Sequence, residues 1–170
     1  MTFFTIPEVA PALDTERAFA EFERTLHAHG ARAALAYLVG LTSYRFIGIF
    51  RFSEGMANAA IHYDRQNPEI LHIDEVPDTA TYCCYVRDTR GAFTTVDSLH
   101  DRRLAEHPKR AAVRAYCGVP VMDSEGVLLG TLCHYDVVPR AADKLDLLLL
   151  LQAASTLARG GHVPPYPHAA

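Results

Sequence analysis

Apolar and polar positions change their period several times along the chain, and each change marks an element. After an extended lead-in over residues 1–13 with Pro7 and Pro11, Phe19, Phe22 and Leu26 recur at three- and four-residue spacing, one stripe of a helix. Asp14 or Thr15 can cap that helix through a side-chain oxygen. Gly30 interrupts it, and the Ala- and Leu-rich stretch 31–42 reads as a second helix. At Tyr44 the period drops to two. Phe46, Gly48, Phe50 and Phe52 fall on one face of a strand, and Arg45, Ile47, Ile49 and Arg51 on the other. Residues 53–58 supply a turn and residues 59–65 the second strand of a hairpin.

Residues 67–79, with Pro68 and Pro77, read as loop, and residues 80–87 as one or two helical turns. Residues 93–96 (FTTV) predict a short strand. Residues 97–110 form a polar connection with a short helix before Pro108, and residues 111–115 a helical approach to the next strand. Residues 115–140, AYCGVPVMDSEGVLLGTLCHYDVVPR, predict two buried strands around a turn at Asp123-Ser124-Glu125-Gly126, where Gly126 can take a positive φ. A two-residue turn at Ser124-Glu125 pairs Met122 with Val127, Val119 with Gly130, and Cys117 with Leu132. One face then carries Ala115, Cys117, Val119, Gly130, Leu132 and His134. The other carries Tyr116, Pro120, Leu129, Thr131, Cys133 and Tyr135. Residues 141–159 form a final helix that Gly160-Gly161 stops, and the Pro-rich residues 160–170 are a loose tail or a surface strap.

The expected architecture is α+β. A central antiparallel β-sheet of five to six strands has the N- and C-terminal helices on one face and pocket loops and short helices on the other. Its 170 residues suit one domain, placed at 14–159. Apolar residues at 49% and charged residues at 21% are ordinary globular usage. The net charge of −4 gives no pull toward nucleic acid or an anionic membrane. No stretch reaches the ~20 apolar residues of a membrane span, and the N-terminus lacks the pattern of a signal peptide. A cytoplasmic protein with four reduced cysteines is the expectation.

Candidate chemistry falls in three places. In Tyr82-Cys83-Cys84-Tyr85, helical residues 83 and 84 point about 100° apart, so one thiol can face a pocket while the other packs inward. Arg87, one turn away, could stabilise a thiolate; plain core packing is the alternative. Cys117 and His134 are diagonal neighbours on one strand face. They read either as a pocket wall beside a small Gly130, or as a buried hydrophobe with a histidine at a strand end. On the pocket reading, Tyr116 and Cys133 point to the terminal helices. A metal would need further ligands from Cys83, Cys84 or His107, and no spacing demands one. The third place is the connection with Asp97, His100, Arg103 and His107. Its arginines suit an anionic ligand, and a solvated linker is the alternative. His100, His107 or His134 could ligate a non-covalent haem. In the last helix, Leu145 and Leu147 to Leu151 surround most of the circumference, which leaves one stripe for a homodimer through the terminal helices.

The element order and the central motif resemble a GAF domain. The matching residues are Tyr116-Cys117-Gly118-Val119-Pro120-Val121, Asp123, Gly126, Gly130-Thr131-Leu132-Cys133, Asp136 and Pro139-Arg140, with Phe93 to Asp97 and Asp101-Arg102 upstream. The resemblance spans roughly residues 15–158 and implies a regulatory module. Such modules bind cyclic nucleotides, tetrapyrroles, haem, small metabolites or ions, or only mediate dimer contacts. The Asn-Lys-Phe-Asp-Glu signature of cyclic-nucleotide members has no counterpart here. Cys133-His134 is similar to the Cys-His of bilin-binding members, but their Asp-Ile-Pro is absent, and Glu75-Val76-Pro77 is the nearest triplet. Free methionine-R-sulfoxide reductases match at Cys83 or Cys84, yet the loop 106–110 lacks the cysteine expected as nucleophile. The expected function is a non-enzymatic sensor that binds a small molecule at Cys83, Cys84, Asp97, His100, Arg103, His107, Cys117 and His134, with haem or another tetrapyrrole as a candidate occupant. The alternatives are a thiol reductase of the free methionine-R-sulfoxide type and a ligand-free interaction module.

Overall fold

The computed structural model describes residues 14–141 and 144–168. Residues 1–13, 142–143 and 169–170 and the side chains of 144–146 lie outside the described residues, and with them fall the expected lead-in, part of the expected final helix and the expected role of Leu145. Helix α1 (Thr15–His29) begins where the Asp14 carboxylate accepts the Arg17 N–H at 3.2 Å. It ends at Gly30, whose φ of 90° is open to glycine, and α2 (Ala31–Gly40) follows. Strand β1 (Phe46–Ser53) turns through Glu54 and Gly55, both at positive φ, into β2 (Met56–Asp64). That turn is complete in two residues, so β2 starts at Met56 rather than at Ala59.

The two-residue β3 (Val76–Pro77) leads through a 3-10 turn at Asp78–Ala80 into α3 (Cys83–Thr89). Then come β4 (Phe93–Thr95), β5 (Ala115–Met122), β6 (Leu128–Asp136) and α4 (Lys144–Arg159). The strands form one six-stranded sheet in the order β3-β2-β1-β6-β5-β4, antiparallel at each pairing. The architecture is therefore α+β, as the pattern predicts.

Two local expectations are corrected. The connection after β4 forms two 3-10 turns, Ser98–His100 and Arg102–Leu104, in place of a short helix. Asp97 accepts from the Leu99 N–H and Asp101 from the Arg103 N–H, so each carboxylate starts its own short turn. Residues 111–114 are not helical; the Arg114 N–H donates to the Asp136 carbonyl and leads straight into β5.

The β5–β6 register also differs, by two residues. Cys117 lies opposite His134, Val119 opposite Leu132, and Val121 opposite Gly130. The Asp123 carboxylate accepts from both the Glu125 and Val127 N–H groups at 2.9 Å, which widens the loop, and a bulge follows between Val121 and Met122. A shift of two keeps residues 130–135 on their expected faces, but Leu129, expected beside Tyr116 and Cys133, sits at the bulge and packs with the helix-covered core instead.

The two faces have different covers. Ile47, Ile49, Cys117, Val119 and Leu132 pack with Phe22, Leu26, Leu35, Leu150 and Leu157 under the terminal helices. Phe50, Ala59, Tyr116 and Cys133 pack with Tyr82, Cys83 and Val86 of the α3 region and with Leu104. An ionic clamp closes one end of the sheet. Arg45 grips Asp64 with two 2.9 Å bonds, while Asp136 accepts from the Arg45 N–H at 3.0 Å and from Arg140 at 2.8 Å. The Arg45 hydrogen bonds hold the Asp64 carboxyl well below the usual carboxylate range. The C-terminal residues form a strap across β1 and β2: Arg51 donates to the Pro164 carbonyl at 2.9 Å and Asn58 to that of Pro167 at 3.3 Å.

Candidate ligand-binding site

A cavity of about 240 Å³ lies between the α3 face of the sheet and the segments around residues 73–83 and 109–113. Phe50, Tyr116, Cys133 and Tyr135 rise from the sheet, and Tyr82 and Cys83 come from the start of α3. Ile73, Val76, Ala80 and Thr81 wall one side and Val113 the other. Asp74, Lys109 and Ala112 line it and are themselves exposed, so they mark its mouth.

The floor is a cluster of sulfur and phenol. The Cys83 and Cys133 sulfurs are 4.0 Å apart, and the Tyr116 hydroxyl donates to Cys83 Sγ at 3.2 Å. Burial opposes ionisation of Cys83, but the hydrogen bonds with Cys133 and Tyr116 help outweigh it and bring that thiol below its ordinary value. Burial and the neighbouring Cys83 push Cys133 well up. Tyr82 meets the Tyr116 ring edge-on at 5.6 Å and donates its hydroxyl to the Val113 carbonyl at 2.7 Å, which ties α3 to the 109–113 turn.

Tyr135 is backed by His62, 2.5 Å from its hydroxyl. Burial pulls His62 down to about 4, so its ring is neutral at pH 7. A neutral His62 ring shares one hydrogen bond with the Tyr135 hydroxyl through Nε2.

The sequence-predicted residues separate into three groups. Cys83 lines the cavity. Cys84, on the next position of α3, is buried and donates to the Thr81 carbonyl at 3.0 Å. His107 is buried beside Tyr82, donates to the Thr81 carbonyl through Nε2 at 3.2 Å, and accepts the Lys109 N–H on Nδ1 at 3.1 Å. It fixes the rim that carries Lys109 without lining the cavity.

Asp97, His100 and Arg103 lie off the cavity and are engaged with their own neighbours. Asp97 takes two bonds from Arg114, at 3.1 and 2.8 Å, and one from His100 at 2.8 Å. Arg103 pairs with Asp101 and lies over the Phe93 ring at 4.5 Å.

Cys117 and His134 face the terminal helices, which inverts the expected assignment of faces. His134 stacks on Tyr44 at 5.5 Å, and Cys117 belongs to the core under α1, α2 and α4. Tyr116 and Cys133, expected toward the helices, form the cavity floor instead. Gly130 makes no ligand space: a Cβ there would lie 2.3 Å from the Phe50 carbonyl oxygen, so its smallness serves the close approach of β6 to β1. The residues passed over were Tyr82, Tyr135 and Phe50. For Tyr135 the signal was available in the alternation, since aliphatic residues fill one face of β5 and β6 while Tyr116 and Tyr135 lie on the other.

The donor set does not fit a histidine-ligated haem. His100 is exposed, both His107 ring nitrogens are engaged, and His134 is on the other side of the sheet. No group of three or more His, Cys, Asp or Glu suited to a metal ion occurs among the described residues. Among them, no helix is long and apolar enough to cross a membrane.

The model of the GAF domain family matches residues 11–160, and the chain belongs to that family of sensor and regulatory modules. Solved structures with the same fold include the chromophore-binding domain of a bacteriophytochrome from Stigmatella aurantiaca, at 12% identity and TM-score 0.69, over 91% of this chain and 62% of that one. The GAF domain of a phosphoenolpyruvate-protein phosphotransferase from Acinetobacter aligns at 11% identity and TM-score 0.67, over 87% of this chain and 92% of that one. The free methionine-R-sulfoxide reductase of Neisseria meningitidis, in complex with its substrate, aligns at 17% identity and TM-score 0.64, over 91% and 92%. In sequence, a cyclic di-GMP phosphodiesterase of Pseudomonas aeruginosa is 33% identical over 73 residues, 41% of this chain and only 12% of that protein.

Proposed function

We propose that this protein is a non-enzymatic GAF sensor module whose ligand is a small molecule held in the cavity over Cys83 and Tyr116. The observation that carries this reading is the cavity itself: aromatic and aliphatic walls, a sulfur and phenol floor, and a mouth with one acidic and one basic residue. Mostly apolar pockets with a few placed polar groups are the usual form of small-molecule sites. The matching ligand has an apolar body that lies against Phe50, Tyr82 and Tyr135, and a polar or zwitterionic end for Lys109 and Asp74. At about 240 Å³ the space is below the roughly 300 Å³ at which drug-sized sites begin. A tetrapyrrole, as in the phytochrome relatives, would require the mouth segments to move outward, so a smaller ligand is favoured. The signal leaves through a homodimer of the terminal helices or through a partner protein.

Melting of the purified, reduced protein against a panel of small metabolites tests this reading. A specific ligand at a hundred times its Kd adds about 2.7 kcal/mol of stability. A panel without any shift would favour the ligand-free interaction module.

A second reading, reduction of free methionine-R-sulfoxide, draws on the 4.0 Å approach of Cys83 to Cys133. The loop at 106–110 holds His107 and Lys109 and no thiol. Turnover of free methionine sulfoxide that is lost in Cys83→Ser would support it; no turnover removes it.

A further inference from the structure

We propose that Cys83 and Cys133 are an oxidisable pair, a reversible redox site in the cavity floor that a hydroperoxide converts into a disulfide. Their sulfurs stand 4.0 Å apart and both line the cavity. A disulfide needs about 2.05 Å, so each sulfur moves only about 1 Å. The cavity supplies a route for the oxidant to two otherwise buried thiols. The other two cysteines are excluded by position. Cys84 is turned to the Thr81 carbonyl, and Cys117 lies on the opposite face of the sheet under the terminal helices.

The two thiols have different roles. Tyr116 donates to Cys83 Sγ at 3.2 Å and favours its thiolate, whereas Cys133 is held protonated by burial. Cys83 is therefore the attacking sulfur. Its thiolate forms a bond to one peroxide oxygen, the O–O bond breaks, and the departing oxygen takes a proton and leaves as alcohol or water. Cys133 sulfur then attacks the Cys83 sulfenic acid. The S–S bond forms, the S–O bond breaks, and hydroxide leaves with the Cys133 proton as water. Two thiols and one hydroperoxide become one disulfide, one alcohol or water, and one water; a small dithiol reverses the change. The disulfide ties α3 directly to β6 and turns the Cys83 sulfur that accepts the Tyr116 hydroxyl into a weaker, neutral acceptor, so the floor of the cavity changes with redox state.

The test is peptide mapping of the folded wild-type protein. Reduced protein is treated with hydrogen peroxide, its remaining thiols are alkylated in denaturant, and the digest is read by mass spectrometry. The expected result is loss of two of the four thiols, a Cys83–Cys133 linked peptide, alkylated Cys84 and Cys117, and full reversal by dithiothreitol. In Cys133→Ser, oxidation stops at a Cys83 sulfenic acid that dimedone traps. No linked peptide, or a link to Cys84 or Cys117 at comparable yield, overturns the proposal. The primary readout uses wild-type protein, so a variant that fails to fold does not decide it. Ligand binding is measured on reduced protein, so that reading and this one fail separately.

Discussion

The ring of Tyr116 occupies the space that a side chain at Gly118 would fill. A Cβ at Gly118 would lie 2.3 Å from the Tyr116 hydroxyl and 2.6 Å from two of its ring carbons. The two residues alternate on one face of β5, and the bare glycine lets the phenol lie back along the strand and reach Cys83. Gly118→Ala should destabilise the protein by about 1–3 kcal/mol, the usual cost of overpacking. The loss should shrink in a Tyr116→Leu background, because the two changes share one contact. Urea melts of the four proteins in this cycle measure it, and additive losses would contradict it.

Stability should depend on pH through His62. Burial pulls this group down to about 4 in the folded protein, against roughly 6.5 when unfolded. Between those values the unfolded chain binds more protons, so stability is full above about pH 6.5 and falls as pH drops toward 4. The loss over that window should be about 3 kcal/mol. Urea melts at pH 7, 5.5 and 4.5 should reveal a slope that His62→Phe flattens. An unchanged slope in the variant would assign the effect elsewhere.

Gly130 and Gly40 make a paired test of backbone crowding. A Cβ at Gly130 meets the Phe50 carbonyl oxygen at 2.3 Å, while one at Gly40 meets nothing within 4 Å. Gly130→Ala should lower the melting temperature clearly. Gly40→Ala, at the end of α2, should leave it unchanged or raise stability by up to about 1 kcal/mol. The reverse order would contradict the close β6–β1 approach.

The surface of α4 supplies a fourth prediction. Leu148 and Leu151 are 49% and 42% exposed, whereas Leu149 and Leu150 are buried. If the terminal helices form a homodimer, light scattering should give twice the chain mass for the wild type. Leu148→Glu with Leu151→Glu should return the monomer mass with little change in unfolding. A monomeric wild type at micromolar concentration would remove the dimer.

The fold was legible where local chemistry is decisive. Asp14 caps α1, Gly30 separates α1 from α2, and Gly55 and Gly126 take the positive φ their turns need. The β5–β6 register was not legible, because the Asp123 carboxylate enlarges the loop and the following bulge absorbs a residue. The even shift kept residues 130–135 on their faces while the bulge turned Leu129 to the other, and what covers each face is set by elements distant in sequence. Cys117 and His134 are reactive residue types but belong to the helix-covered face; the stronger signal is the division between aliphatic Val119, Val121 and Leu132 and phenolic Tyr116 and Tyr135. The charges around Asp97 and Arg103 looked available for an anion. Their mutual pairing with Arg114 and Asp101 depends on contacts that spacing does not reveal.

Ligand binding in the cavity over Cys83 and Tyr116 is tested most directly at the cavity mouth. Ala112 lies at its mouth and is exposed, so Ala112→Trp should fill the entrance while the core stays intact. The direct measurement is the melting shift caused by the panel's best ligand in reduced wild type and in Ala112→Trp. The expected result is a saturable rise in the wild type and its loss in the variant, with both apo proteins melting within a few degrees of each other. An equal rise in both proteins would place the ligand outside this cavity.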